Sequence, residues 1–187
     1  MRLSRGAALA GAGAAGGAGL YLGAVTGALT IDLGIGRRVR PLGPIEVTVA
    51  APRQVVYDAA TAPYAVRQTR AMREKVQILE RGDGFVLAAH RTPLGARLVA
   101  TTTETVTFEP PGRIGFRLLR GPVPYVVESF RLVEVEADVT LLTYDGELGT
   151  DLWGLGRRWG DLVARTWEDT VRTSLDRIKA EAERRHR

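Results

Sequence analysis

Alternating and clustered apolar positions between Ile45 and Leu148 predict a mainly β region. Apolar and polar residues alternate from Ile45 to Val49, as they do in a strand with one buried face. Pro52 then suits the first turn of a short helix over residues 53–60, and residues 65–73 predict a second one. The remaining strand-like segments, separated by turn residues, are 75–80, 85–91, 96–109, 113–119, 125–135 and 139–148. The pattern predicts one curved antiparallel sheet of six or seven strands.

The end of the chain predicts one long amphipathic helix. Asp151 is a candidate N-cap, although Gly154, Gly156 and Gly160 weaken the first turns. From Arg157 onward, apolar and small polar residues recur with helical spacing, and charged residues occupy the other face. The stripe consists of Trp159, Val163, Thr166, Trp167, Thr170, Val171, Ser174, Leu175 and Ile178. Such a stripe is expected to bury against the sheet, which predicts an α+β fold with a cavity between the sheet and the helix.

Three segments resemble the START-like, or SRPBCC, superfamily. They are Ile45–Tyr64, Thr107–Arg117 and the Trp-containing last helix, and the similarity covers roughly residues 45 to 185. The bacterial polyketide cyclase/dehydrase-type branch is the most similar one. The resemblance implies a helix-grip fold that binds a lipid, a polyketide or another hydrophobic metabolite. In some relatives it also implies cyclisation or dehydration of polyketides.

Residues of the later strands and the last helix are candidates for the lining of the cavity. They are Thr102, Glu104, Phe116, Tyr125, Phe130, Tyr144, Trp159, Val163 and Trp167. Plain core packing is the alternative for the two tryptophans. Candidates for acid–base chemistry are Glu104, Glu128, Asp145, Arg117, Tyr125 and Tyr144, because an ionisable group in an apolar pocket acquires a shifted pKa. The alternative for each of these is a cross-strand ion pair on the solvent face.

Composition removes several kinds of chemistry. The chain has no Cys, so disulfides, thiolate nucleophiles and Cys-based zinc sites are excluded. It has two histidines, His90 and His186, so we expect no metal site, and isolated Gly-x-Gly fragments predict no nucleotide cofactor. A Ser–His–acid triad would need His90 with Ser129 or Ser174, neither of which lies in a nucleophile elbow. We therefore expect His90 to be a hydrogen-bonded structural residue, and no residue set stands out as catalytic.

Charge distribution argues against nucleic acid and draws attention to the N-terminus. The net charge is +5, but the positive charge is not gathered into an obvious nucleic-acid-binding surface, and arginines at the chain ends and beside the first apolar run are more typical of solvating or membrane-flanking residues. Ala7–Leu29 carries no charge and is about as long as a bilayer-spanning helix. Residues 1–35 therefore predict an apolar helix that acts as a single-pass membrane anchor. Arg2 and Arg5 also fit a signal peptide that is cleaved on export, and a flexible low-complexity leader is the third interpretation.

The sequence thus predicts three parts: residues 1–35 as the anchor or signal, 36–44 as a linker, and 45–187 as the START-like domain. The predicted function is binding of a hydrophobic or amphipathic small molecule, such as a lipid or a polyketide, in the cavity of a membrane-tethered domain. A polyketide cyclase/dehydrase-type enzyme is the first alternative. A membrane-linked scaffold for protein interaction is the second.

Overall fold

The computed structural model describes residues 19–94 and 98–187. One antiparallel sheet has the strand order β1-β7-β6-β5-β4-β3-β2. Its strands are β1 (Arg38–Val49), β2 (Val76–Arg81), β3 (Phe85–Leu94), β4 (Leu98–Glu109), β5 (Arg113–Arg120), β6 (Tyr125–Glu136) and β7 (Val139–Thr150). The helices are α1 (Arg53–Thr61), a 3₁₀ turn (Ala62–Tyr64), α2 (Arg70–Lys75) and α3 (Trp153–His186). This arrangement confirms the predicted α+β helix-grip fold, with seven strands where the sequence predicts six or seven.

Alternation along the strands separates an inner face, turned towards α3, from an outer face. Helix α3 packs mainly on β1, β7 and α1, so the contact concentrates at one side of the sheet. Leu142, Leu148 and Leu175 are almost completely buried there. Burying one such side chain contributes about 1.5–3 kcal/mol to folding. The apolar contact between the sheet and α3 therefore contributes several kcal/mol, on the order of the sum of such side chains, to the stability of the domain.

Strand β1 starts earlier than the alternation at Ile45 predicts. Residues 38–42 already pair with β7, in the segment that the sequence predicts as a linker. The two proline residues there do not prevent the pairing, because β1 is an edge strand and its other side needs no ladder hydrogen bonds. A register shift between Leu42 and Ile45 accommodates the Gly-Pro step.

The start of α3 also differs from the prediction. Leu152, in the left-handed region with φ 65°, occupies the N-cap position, and Asp151 does not cap the helix. A Cβ on Gly156 would lie 1.6 Å from the carbonyl oxygen of Asp151, and one on Gly160 would lie 3.1 Å from Thr150 Cγ2. These glycines, which weaken a helix by propensity, allow α3 to approach the end of β7 closely.

Residues 19–37 form a segment that we call the N-terminal strap. Residues 19–25 are helical, and the rest runs across the start of β4 and the start of α3. In the described part of the chain, no helix combines the length and apolar character needed to cross a membrane. About half of the predicted anchor (residues 1–35), including residues 7–18 of its charge-free run, lies outside the described residues, and the anchor stays a prediction.

Candidate functional site

Aromatic rings form a continuous row on the inner face of the sheet. Tyr64, after α1, lies 5.7 Å from Phe108 and 6.4 Å from Phe116, measured between ring centroids. Phe116 then lies 5.2 Å from Phe130, and Phe130 lies 6.0 Å from Tyr144. These spacings are typical of edge-to-face and tilted aromatic pairs. The row therefore crosses the sheet from β4 to β7 beneath the helices.

A buried His–Glu pair lies at one end of this row. His90 Nδ1 is 2.9 Å from Glu104 Oε2, and His90 Nε2 is 3.0 Å from the hydroxyl oxygen of Tyr64. Strands β3 and β4 bring the pair together because His90 lies opposite Thr102 and Ala88 lies opposite Glu104. The small Ala88 side chain leaves the carboxylate free to reach diagonally to the imidazole.

Mutual attraction decides the ionisation of His90 and Glu104, whereas burial decides that of the neighbouring Tyr64. Burial by itself lowers the pKa of His90 and raises that of Glu104, but the mutual attraction outweighs burial for both. The pKa of His90 therefore rises, and the pKa of Glu104 falls, with a further hydrogen bond from Thr102. Burial, followed by the nearby carboxylates, raises the pKa of Tyr64 and keeps its hydroxyl protonated.

A second inward-facing glutamate lies at the other end of the row. Oε2 of Glu128 accepts hydrogen bonds from the Tyr144 hydroxyl, at 2.6 Å, and from Trp167 Nε1, at 2.7 Å. Burial, followed by repulsion from Glu104, raises the pKa of Glu128 to about 7, while the two hydrogen bonds act in the opposite direction. Burial also raises the pKa of Tyr144. Glu128 is thus able to exchange a proton near neutral pH.

The structure brings most of the predicted lining residues together on the inner face. Thr102, Glu104, Phe116, Phe130, Tyr144 and Trp167 all contribute to the aromatic row or to its polar ends. Val163 belongs to the buried core. Trp159 lies nearer the start of α3, where its Nε1 donates to the carbonyl oxygen of Pro122 and its ring contacts Tyr21 of the strap.

Tyr125 does not line the inner face, which corrects the prediction for this residue. Its neighbour Val126 points inward and is buried, so the two-residue period of the strand turns Tyr125 outward, where its hydroxyl donates to Glu147. Asp145 also faces outward, bonded to Ser129 and Arg131 at 2.9 and 3.1 Å. For Asp145 the alternative interpretation, a cross-strand ion pair, is the one observed.

Three residues of the site, Tyr64, His90 and Phe108, were among neither the lining nor the acid–base candidates. Tyr64 and Phe108 were noted only within segments that resemble the superfamily, and His90 was expected to be a structural residue. The signal that places His90 beside Glu104 is the β3–β4 register, in which Leu94 pairs with Leu98 and His90 with Thr102. Ser129 lies on the outer face and His90 on the inner face, so these two residues do not form a nucleophile–base pair.

Two clefts open at other places on the described surface. One, of about 750 Å³, lies between β1 and the first turns of α3, beside Trp153 and Arg157. The other, of about 380 Å³, lies on the outer face near the register shift in β1. The aromatic row belongs to neither cleft, but Tyr64, Phe108, Phe130 and Trp167 on the inner face remain partly exposed. Among the described residues, no group of three or more His, Cys, Asp and Glu side chains could hold a metal ion.

Comparisons with known proteins agree with this architecture. The family model described as polyketide cyclase / dehydrase and lipid transport matches residues 45–183. A comparison with curated proteins gives no match. The Zhui aromatase/cyclase from Streptomyces sp. R1128 is similar in structure, with a TM-score of 0.63 and 22% identity over 81% of this chain and 96% of its own.

Two further solved structures share the fold. The di-domain aromatase/cyclase BexL from the BE-7585A biosynthetic pathway has a TM-score of 0.59 and 18% identity, over 79% of this chain and 50% of its own. Norcoclaurine synthase from Thalictrum flavum, in complex with dopamine and hydroxybenzaldehyde, has a TM-score of 0.56 and 12% identity, over 77% and 85%. At these identities the likeness shows the fold.

Proposed function

The chain belongs to the polyketide cyclase / dehydrase and lipid transport family of the START-like superfamily, and we propose that it binds a planar hydrophobic or amphipathic molecule on its inner aromatic face. The class of ligand that fits is a lipid or a polyketide-like compound. The observation that carries the proposal is the row from Tyr64 to Tyr144, whose rings offer apolar area and stacking partners. The polar groups at its two ends would orient such a ligand.

A binding experiment with matched blocking variants tests the proposal. The neutral dye N-phenyl-1-naphthylamine should bind and gain fluorescence, with an affinity that is nearly independent of ionic strength, because burial of apolar area drives the binding. Thr102→Phe places a ring on the inner face and should weaken binding at least about tenfold. Thr103→Phe, one residue along β4 and directed outward, should leave it within about twofold. Absence of dye binding, or equal loss in both variants, would contradict the proposal.

A second candidate function, acid–base turnover of a polyketide-like carbonyl compound, is favoured by Glu128 and the His–Glu pair. As a carboxylate, Glu128 would take a proton from the carbon next to a carbonyl. The bond from the neighbouring carbon to a hydroxyl then breaks, a carbon–carbon double bond forms, and the hydroxyl leaves as water with a proton from Tyr64. His90, hydrogen-bonded to the Tyr64 hydroxyl, would donate a proton to the Tyr64 oxygen, and exchange with solvent would remove the proton from Glu128 and restore the one on His90. A pKa of about 7 suits a group that must exist in both forms.

Turnover of a β-hydroxy thioester separates this candidate from simple binding. Glu128→Gln should reduce the rate at least about a hundredfold, because it removes the base. Dye binding should persist in the same variant, since the aromatic row is unchanged. Glu134→Gln, on the exposed part of β6, is the control and should retain the rate. An unchanged rate in Glu128→Gln would exclude this residue as the base, whereas the binding proposal would stand on the dye experiment alone.

A further inference from the structure

One end of the domain presents apolar side chains to solvent. Ile31, Leu33 and Ile35 of the strap and Trp153 and Leu155 of α3 are between 43% and 71% exposed. Single exposed apolar residues are ordinary, but a group of this kind is unusual on a monomeric protein and marks an interaction surface. We call the surface formed by these five residues the strap face.

Backbone hydrogen bonds join the two parts of the strap face. The N–H of Leu152 donates to the carbonyl of Ile35 at 2.9 Å, and the N–H of Trp153 donates to the carbonyl of Gly36 at 3.0 Å. A Cβ on Gly36 would lie 2.3 Å from the Trp153 ring, which shows how closely the two segments approach. The apolar residues of the strap and of α3 are therefore neighbours in one surface.

A buried carboxylate holds the strap in this orientation. Oδ2 of Asp151 accepts the backbone N–H groups of Leu33 and Gly34, at 2.7 and 2.8 Å, and its Oδ1 accepts from Arg37 Nε at 2.8 Å. The Asp151 side chain is only 3% exposed, and the hydrogen bond from Arg37 is the main reason that its pKa is lowered. These hydrogen bonds fix the backbone of Leu33, while its side chain remains exposed to solvent. A segment without these hydrogen bonds would be free to turn its apolar side chains towards the interior of the domain.

Arginine residues flank the strap face along the chain. Arg37 is the last residue of the strap, Arg38 and Arg40 follow it, and Arg157 and Arg158 follow Leu155 on α3. Acidic partners are present too, since Asp32 pairs with Arg37 and Asp161 with Arg40. Arg38, Arg157 and Arg158 are exposed and have no ion-pair partner within the described residues. Basic residues around exposed Trp, Leu and Ile are the composition of a surface that contacts anionic lipid headgroups.

The sequence that precedes the strap has a matching character. Residues 7–18 consist of Ala, Gly and one Leu, and Arg2 and Arg5 come before them. This apolar stretch leads directly into the helical residues 19–25, where Tyr21 contacts Trp159 at a ring-centroid distance of 6.1 Å. The chain therefore enters the domain beside the strap face with apolar and basic residues.

We propose that the strap face is a membrane-contact surface that lies on an anionic lipid bilayer, with Trp153 and Leu155 at headgroup depth and the surrounding arginines on the phosphates. The occupant is the lipid surface itself. The strap part of this surface precedes residues 45–183, which the family model matches. The proposal does not depend on what the inner aromatic face binds.

Vesicle binding by the full chain tests this proposal. Vesicles of phosphatidylcholine with about 30% phosphatidylglycerol should bind the protein more tightly than vesicles of phosphatidylcholine alone. The double variant Leu33→Glu/Leu155→Glu should lower partitioning onto the anionic vesicles at least about tenfold, because two apolar contacts become repelled charges. The control Leu79→Glu/Val133→Glu adds the same charge at exposed apolar positions of the sheet and should change partitioning by less than about threefold.

A measurement on the wild-type protein makes the test independent of variant folding. Brominated phosphatidylglycerol should quench tryptophan fluorescence on binding, and Trp153→Phe should remove most of the quenching while vesicle binding persists. Failure to bind anionic vesicles, absence of quenching, or equal binding by the two double variants would overturn the proposal. Equal binding would assign the contact to residues 1–18. Lipid-free dimerisation that only Leu33→Glu/Leu155→Glu abolishes would overturn it in favour of a second copy of the chain.

Discussion

Glu104 and Glu128 are both directed to the inner face of the same sheet, yet their pKa values move in opposite directions. The pKa of Glu104 falls, although the residue is only 5% exposed, whereas burial raises the pKa of Glu128 to about 7. The difference lies in their partners. Glu104 faces the imidazole of His90, which can carry a positive charge, and Glu128 faces the neutral donors of Tyr144 and Trp167.

The comparison teaches that two good hydrogen bonds from neutral groups do not replace a cation. Hydrogen bonds stabilise the carboxylate of Glu128, but desolvation and the nearby charge of Glu104 act more strongly. The same inner face therefore contains two different carboxylates: Glu104 stays ionised, and Glu128 titrates near neutral pH. Pairs of groups with separated pKa values are typical of acid–base sites, which is why the second candidate function uses Glu128 as the base.

The largest effect is expected from removing the ion pair at Glu104. Glu104→Leu leaves His90 buried without its partner and should lower the free energy of unfolding by roughly 3–5 kcal/mol at pH 6. Glu109→Leu, at the exposed end of the same strand, removes only a surface contact with Arg113 and should cost less than about 1 kcal/mol. Urea denaturation of both variants measures the difference. Similar losses would show that the His–Glu pair contributes no more than a surface pair.

A smaller effect is expected in the pH dependence of stability at Glu128. Because its folded pKa is raised from 4.5 to about 7, the native state keeps a proton that the unfolded state has released between these pH values. The resulting stability is complete below pH 4.5 and is lost as the pH rises through 7, by at most roughly 3 kcal/mol. Glu128→Gln cannot lose this proton, so its stability should rise relative to wild type over that range. The exposed control Glu134→Gln should run parallel to wild type, and a parallel Glu128→Gln profile would contradict the raised pKa.

The smallest effect is a change in the titration of His90, without loss of the fold. In the wild-type protein, the pKa of His90 should lie above its ordinary value of 6.5, because attraction to Glu104 outweighs burial. Its stabilising effect is complete below pH 6.5 and is lost as the pH rises through the raised value. In Glu104→Gln, burial is opposed only by the weaker attraction of Glu128, and the pKa of His90 should fall below 6.5. NMR titration in a His186→Gln background leaves one histidine to follow, and an unchanged midpoint would show that Glu104 does not control it.

The fold could be predicted from the sequence because its signals are local. Alternation predicts the strands, and the 3.6-residue stripe from Trp159 to Ile178 predicts one long helix. The element boundaries were less accurate, since β1 extends back to Arg38 through an Arg-, Pro- and Gly-containing segment that predicts a linker. Pairing with β7 decides that boundary, and pairing is a property of two segments about one hundred residues apart.

The inner aromatic face was predicted only in part. Phe116, Phe130 and Tyr144 were identified as lining residues, because aromatic residues in strands of a fold built around a cavity are natural candidates. Tyr125 was assigned to the wrong face, since a single-residue uncertainty in a strand reverses the direction of every side chain. Only the inward position of Val126 settles that parity.

By itself, the sequence determined the succession of elements, the apolar stripe of the last helix and the lack of cysteine chemistry. The tertiary structure decided that His90 contacts Glu104 and Tyr64 and that Trp167 donates to Glu128. It also decided that Asp151 accepts hydrogen bonds from the strap instead of capping α3. Periodicity reflects neighbouring residues along the chain, which one sequence displays directly. Contacts between residues 39 or 118 positions apart depend on strand register and helix placement, and these arise only when the whole chain has packed.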